Sequence, residues 1–146
     1  IEVIDRRAKM TLGDILAAKK SVELFAMTPK HKVAEAITLM NERNISAVMV
    51  VDEGRKLKGM ITERDIVRGL AKGEAFLNEL LENIMTRDVI TFTPFTEVSA
   101  AISVVANKKV RHLPVVEGDS IIGMITYRDL VSYVLPEIIY MAKDIY

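Results

Sequence analysis

Two short stretches of the chain combine residue types that could bind a small polar ligand. Residues 59–65 read Gly-Met-Ile-Thr-Glu-Arg-Asp, residues 123–129 read Gly-Met-Ile-Thr-Tyr-Arg-Asp, and only Glu63 and Tyr127 differ between these two heptads. A Thr-x-x-Asp sequence at the start of a helix is first of all a cap, because the hydroxyl and the carboxylate each accept a backbone N–H. The repetition of the whole heptad, with a glycine and an arginine in the same places, predicts two copies of one binding site as well.

The side chains of the heptads suit a nucleotide. The N-terminus of a helix attracts phosphate through its free N–H groups and its dipole, and a threonine hydroxyl and an arginine add donors. An aspartate one turn into the helix can accept hydrogen bonds from two vicinal hydroxyls, as a ribose offers. The absence of Cβ at Gly59 and Gly123 is expected to let a ligand approach the strand closely. None of these features alone separates a nucleotide site from a well-capped helix.

The elements that position the heptads also occur twice. Apolar residues at helical spacing predict one helix over residues 33–43 and a second copy that starts at residue 98. Runs rich in β-branched residues at 45–51 and 110–116 predict buried strands, each followed by a turn and by a returning strand that leads into the heptad. Residues 22–27 and 89–94 each predict a further strand, which ends at Thr-Pro. The repeated order of strand, helix, strand, strand and helix predicts an α+β fold made of two copies of one unit.

A three-stranded unit of this size cannot bury the apolar face of its sheet alone. We therefore expect two β-α-β-β-α units, packed sheet to sheet with pseudo-twofold symmetry. The predicted divisions are an N-terminal extension at 1–10, repeat 1 at 11–73, a linker at 74–79, repeat 2 at 80–135 and a C-terminal helical tail at 136–146.

The composition argues against several classes of function. The 146 residues include 20 basic and 20 acidic side chains, no cysteine and two histidines. Zero net charge and the lack of an aromatic platform argue against nucleic-acid binding. The lack of cysteine excludes a thiolate metal site and a cysteine nucleophile, and no Walker-type loop is present, so we expect neither an enzyme nor a metal site. Short apolar runs and a charged start predict a cytoplasmic protein with no membrane segment. Lys19 and Lys20 are expected to be solvated loop charges.

From about residue 11 to residue 135 the chain resembles a tandem pair of cystathionine-β-synthase (CBS) domains, also called a Bateman module. The resemblance rests on both heptads, on the Thr-Pro that ends both first strands, and on Arg-His-Leu-Pro-Val-Val at residues 111–116. It implies a non-catalytic regulatory module that binds AMP, ADP or ATP in clefts between the repeats. Binding of S-adenosylmethionine or of a dinucleotide, and a ligand-free interaction or dimerisation module, are the alternatives. The implied partners are a second copy of the chain, in a homodimer, and an unidentified regulated protein.

The resemblance, carried over by position, implies a first site around the heptad of repeat 1. Asp65 would hold the ribose, and Thr62 would bind the ribose or the α-phosphate. Arg111 and His112 of the other repeat would reach the phosphates, so this site is expected to suit multiply charged phosphates. The base would be walled by Val22, Leu24 and Ile45, with Arg64 beside the aspartate.

The second site would use the heptad of repeat 2. Asp129 and Thr126 take the corresponding roles, and the facing positions, Ser46 and Ala47, bring no charge. This site is therefore expected to prefer a monophosphate, another adenosine ligand or no ligand. The remaining residues implied here are Thr86, Val89 and Val110 at the base, Arg128 beside the aspartate, and Pro114, for which repeat 1 has Met49.

Overall fold

A computed structural model describes residues 10–19 and 26–134 of the chain. Val22, Leu24 and most of the predicted N-terminal extension lie outside the described residues, as does the predicted C-terminal helical tail. The described helices are α1 (Leu12–Ala18), α2 (Val33–Arg43), α3 (Glu63–Leu70), α4 (Leu81–Ile84), α5 (Val98–Lys108) and α6 (residues 127–134), with a 3₁₀ helix at Glu74–Asn78. The strands are β1 (Ala26–Met27), β2 (Ala47–Val51), β3 (Leu57–Thr62), β4 (His112–Glu117) and β5 (Ser120–Thr126).

Contacts divide the chain into two compact units that differ from the repeats read along the sequence. The described part of unit 1 comprises residues 10–19, 90–117 and 122–134, and that of unit 2 comprises residues 26–89 and 118–121. Helix α1 thus packs with elements of the second repeat, where Leu12 and Ile15 are fully buried. Helix α4 packs with elements of the first repeat, where Leu81 is fully buried. Each unit is therefore completed by a short helix that the sequence places next to the other repeat.

Unit 2 contains a three-stranded sheet with the order β1-β2-β3. β1 runs parallel to β2, and β2 runs antiparallel to β3 with Ala47 opposite Thr62. The turn of this hairpin is fixed by Asp52, whose Oδ1 accepts the N–H groups of Gly54 and Lys56, each at 2.9 Å. Helix α2 has the bounds that its apolar spacing predicted, and it ends where Asn44 takes a left-handed conformation with φ 52°.

Unit 1 contains β4 and most of β5, and the strand predicted over residues 89–94 is reduced to one bridge. Phe92 pairs in parallel with Val115, and its N–H donates to the Pro114 carbonyl at 2.9 Å. The Thr93 N–H donates to Thr96 Oγ1 at 3.1 Å. The next residue that would bond to β4 is Pro94, which has no N–H to donate. The prediction of a full strand over residues 89–94 was wrong, because the proline ends the pairing.

Candidate functional site

The heptad of unit 2 spans the end of β3 and the first turn of α3. Thr62 is the extended N-cap residue, and its Oγ1 accepts the Asp65 N–H at 3.3 Å. Asp65 Oδ2 in turn accepts the Thr62 N–H at 2.9 Å and the Thr62 hydroxyl at 3.0 Å. Both residues are half-buried. The predicted capping box is confirmed, and it fixes the carboxylate at the start of the helix.

The heptad of unit 1 repeats this geometry between β5 and α6. Asp129 Oδ2 accepts the Thr126 N–H at 2.8 Å, and Thr126 Oγ1 accepts the Asp129 N–H at 3.2 Å. Within the described part of the chain, Oδ1 of Asp129 and Oδ1 of Asp65 accept no hydrogen bond from the protein. Each aspartate therefore uses one carboxylate oxygen in its own cap and keeps the other out of it.

The first amides of both helices already have partners in the protein. The Glu63 N–H donates to the Ser46 carbonyl at 3.0 Å, and the Tyr127 N–H donates to the Arg111 carbonyl at 2.9 Å. The third amide of each helix is bound by the threonine of the cap. The expectation that these N–H groups would be free to bind phosphate is therefore wrong for two positions of each first turn.

The two glycines of the heptads are in contact with the protein itself. A Cβ added to Gly59 would lie 2.6 Å from Met85 Sδ and 2.8 Å from the Thr86 carbonyl oxygen. A Cβ added to Gly123 would lie 2.7 Å from Leu16 Cδ2. The space beside each glycine is therefore filled by the protein and not by a ligand, contrary to the expectation from the sequence. Residues just after α4 lie against Gly59, and a side chain of α1 lies against Gly123.

Lys19, which the sequence suggested was a solvated loop charge, is bound to the heptad of unit 1. Its Nζ lies 2.9 Å from Asp129 Oδ2 and donates to the Met124 carbonyl at 2.8 Å, and both charged side chains are only 26% exposed. Burial raises the pKa of Asp129, but the Thr126 N–H and the Lys19 ammonium outweigh it, so the pKa lies below its ordinary value. The expectation for Lys19 was wrong, and Lys20 lies outside the described residues.

The residues predicted for the two ligand sites are divided differently between the two units. In unit 2, Ser46 meets the cap of Thr62 through its carbonyl, and the half-buried Ile45 and Ala47 flank it. Thr86 also belongs to unit 2, where its N–H and carbonyl both bond to Met60 at 3.0 Å, although the resemblance implied a role with Asp129. The half-buried Val89 and the exposed Arg64 lie in this unit as well.

In unit 1 the main chain of Arg111 meets the cap of Thr126, while its side chain is exposed, as is that of Arg128. The remaining predicted residues of this unit are Val110 and His112, both half-buried, and Pro114, which is buried. The ligand-binding roles of all these side chains stay predictions. Among residues 10–19 and 26–134, no group of three or more histidines and carboxylates could hold a metal ion, and no helix is long and apolar enough to cross a membrane.

Comparison with known proteins identifies a family whose model matches both halves of the chain. The CBS domain model matches residues 12–72 and 81–136. The mitochondrial CBS domain-containing protein CBSX3 of Arabidopsis thaliana is 33% identical over 135 residues, which cover 87% of this chain and 66% of the relative. The chain spans between 43% and 70% of the lengths of the first curated relatives that it matches.

Solved structures that resemble this chain are also CBS-domain proteins. The CBS-domain containing protein ATU1752 of Agrobacterium tumefaciens has a TM-score of 0.78 at 27% identity, over 84% of this chain and 98% of that one. The CBS domain pair of protein MJ0100, solved in complex with 5′-methylthioadenosine and S-adenosyl-L-methionine, has a TM-score of 0.74 at 28% identity, over 85% of this chain and 98% of that one. The chain belongs to the CBS domain family, and its α+β fold contains two CBS repeats.

Proposed function

We propose that the chain is a non-catalytic regulatory module that binds adenosine-containing ligands at its two heptads. The observation that carries this proposal is the repeated aspartate, held at a helix start with one carboxylate oxygen bound in the cap and the other available. A carboxylate accepts strong hydrogen bonds and donates none when ionised, so its natural partner is a donor pair such as the two hydroxyls of a ribose.

The adenosine part of the ligand is better supported than the group attached at its 5′ position. The related MJ0100 pair was solved with 5′-methylthioadenosine and S-adenosyl-L-methionine, which share an adenosine whose 5′ position is substituted. AMP, ADP and ATP share the same unit, and they are our candidates for this chain, with S-adenosylmethionine as the alternative. The available carboxylate oxygens account for the shared ribose. The choice of phosphate would depend on Arg111 and His112, whose ligand roles are predictions.

A thermal-shift panel tests the function. The purified chain is heated with AMP, ADP, ATP, 5′-methylthioadenosine and S-adenosylmethionine, and GMP serves as the control for the base. A ligand that binds only the folded state raises the midpoint temperature of unfolding. At a hundred times its Kd, it adds about 2.7 kcal/mol to the unfolding free energy. At least one adenosine ligand should raise the midpoint at concentrations where GMP does not. If no ligand shifts the unfolding temperature at millimolar concentrations, ligand binding is refuted and the alternative of a ligand-free interaction module is favoured.

Exposed apolar side chains on the repeat helices favour a second role, a homodimer. Val67 on α3 is 68% exposed, and Val131 on α6 is 39% exposed. Apolar residues on exposed helix faces are suited to a symmetric contact with a second copy. Light scattering should give the mass of a dimer for the wild type and that of a monomer for Val67→Glu. A monomeric wild type at tens of micromolar would remove the homodimer from the proposal.

A further inference from the structure

The two heptads differ in the partner that holds the strand before each cap. Met60 and Met124 occupy the same position of the heptad, and their carbonyl oxygens accept from different donors. In unit 2 the Met60 carbonyl accepts the backbone N–H of Thr86 at 3.0 Å. In unit 1 the Met124 carbonyl accepts the side-chain ammonium of Lys19 at 2.8 Å. Among the described residues, a charged side chain therefore bonds the strand at one heptad, and a main-chain amide bonds it at the other.

The same ammonium reaches the aspartate that the proposed function assigns to the ribose. Lys19 Nζ and the Thr126 N–H share Asp129 Oδ2, at 2.9 Å and 2.8 Å. The corresponding second donor at Asp65 Oδ2 is the Thr62 hydroxyl, which is neutral and can rotate. The described residues contain no cation within ion-pair distance of Asp65. The two carboxylates thus have the same cap but different charge environments.

We infer that Lys19 weakens ligand binding at the Asp129 site, because its ammonium compensates the charge of the carboxylate that the ribose hydroxyls need. This inference rests on the proposed function. Lys19 shares Oδ2 with the cap and leaves Oδ1 to the ligand. A ribose hydroxyl at Asp129 therefore meets a carboxylate whose charge is already compensated, which weakens the hydrogen bond. At Asp65 the described residues bring no such charge. The Asp65 site is consequently the tighter of the two, and Lys19 sets the difference.

The effect of Lys19 on Asp129 is electrostatic, and solvent moderates it. The side chains of Lys19 and Asp129 are each 26% exposed, so water screens part of the attraction between their charges. A change at Lys19 is therefore expected to alter the affinity at Asp129 by a modest factor.

The test uses the Asp65→Ala variant, in which Asp129 is the remaining site, and titrates it by calorimetry with 5′-methylthioadenosine. This ligand carries no phosphate, so the charge of Lys19 cannot attract it. Adding Lys19→Met should tighten binding roughly 5- to 10-fold, as expected for the loss of a partly exposed charge that compensates the carboxylate. Lys19→Gln, which keeps a donor for the Met124 carbonyl, should tighten binding as well. Lys19→Arg should keep the weak affinity, because it keeps the charge.

The control is Lys30→Met, which removes the ion pair between Lys30 and Glu82 at 2.7 Å in unit 2 and should not change binding. Unchanged or weaker binding in both Lys19→Met and Lys19→Gln, while the wild type binds through Asp65, would overturn the inferred effect of Lys19 and leave the proposed function standing. Absence of binding in the wild type and in every variant would overturn both. These two failures are distinguished by the wild-type titration alone.

Discussion

Replacing Gly59 with alanine should destabilise the fold more than the same replacement at Gly123. The two glycines have the same position in the heptad and are both buried. The atoms that an added Cβ would meet are different. At Gly59 they include the Thr86 carbonyl oxygen at 2.8 Å, which is main chain held by its bridge to Met60. At Gly123 they are the terminal methyl groups of Leu16, the nearest at 2.7 Å.

The expected magnitudes follow from two opposing terms. Overpacking a well-packed site costs about 1–3 kcal/mol when the neighbours cannot move. Alanine also restricts the unfolded chain, which stabilises the protein by roughly 0.4–1 kcal/mol where the backbone conformation is allowed. Neither glycine has a positive φ, so this gain applies to both. Gly59→Ala should therefore destabilise by about 0.5–2.5 kcal/mol. Gly123→Ala should destabilise by less than Gly59→Ala, since the end of a leucine can shift.

Urea unfolding followed by far-ultraviolet circular dichroism measures both changes, since the chain has no tryptophan to report by fluorescence. The midpoint should fall clearly for Gly59→Ala and little for Gly123→Ala, with the same slope for both variants. Adding Met85→Ala to Gly59→Ala should recover only part of the loss, because it removes the sulfur contact and leaves the carbonyl. A Gly59→Ala variant as stable as Gly123→Ala would refute the assignment of this glycine to close packing of the chain.

Two further predictions concern the caps. Thr62→Ala should lower the unfolding free energy by about 1 kcal/mol, because the Asp65 N–H loses its acceptor. Thr62→Ser keeps a hydroxyl and should retain most of the stability. Equal stability of the wild type and both variants in urea would contradict the capping role. The lowered pKa of Asp129 predicts that its pairing adds stability above the ordinary carboxyl pKa of about 4, and that this contribution is lost as the pH falls through the lower folded pKa. Lys19→Met should therefore cost more stability at about pH 7 than at about pH 3, and a cost that does not change with pH would exclude this origin.

The sequence predicted the elements whose patterns are local. The bounds of α2, its left-handed stop at Asn44 and the hairpin of β2 and β3 follow from spacing, β-branched runs and turn residues. The caps at Thr62 and Thr126 were also legible, because each depends on a residue three positions away. These features are fixed by neighbours along the chain, which a sequence shows directly.

The errors arose where a distant segment decides the outcome. Nothing near Lys19 in the sequence shows that its ammonium reaches Asp129 across more than a hundred residues. The glycines were assigned to a ligand because the segments that approach them, around Met85 and Leu16, lie far away in the sequence. Only the three-dimensional contacts distinguish these cases.

The central claim is that the carboxylate of Asp65 binds the hydroxyls of an adenosine ribose. The most direct test is a calorimetric cycle in an Asp129→Ala background, with Asp65 or alanine in the protein and AMP or 2′-deoxy-AMP as the ligand. Asp65→Ala should weaken AMP binding by about 10- to 100-fold, the value of a lost charge-assisted hydrogen bond. The deoxy ligand should bind more weakly than AMP to the aspartate protein, and the two ligands should bind equally to the alanine protein. Undiminished affinity for AMP in the alanine protein, or an equal deoxy penalty in both proteins, would contradict the claim.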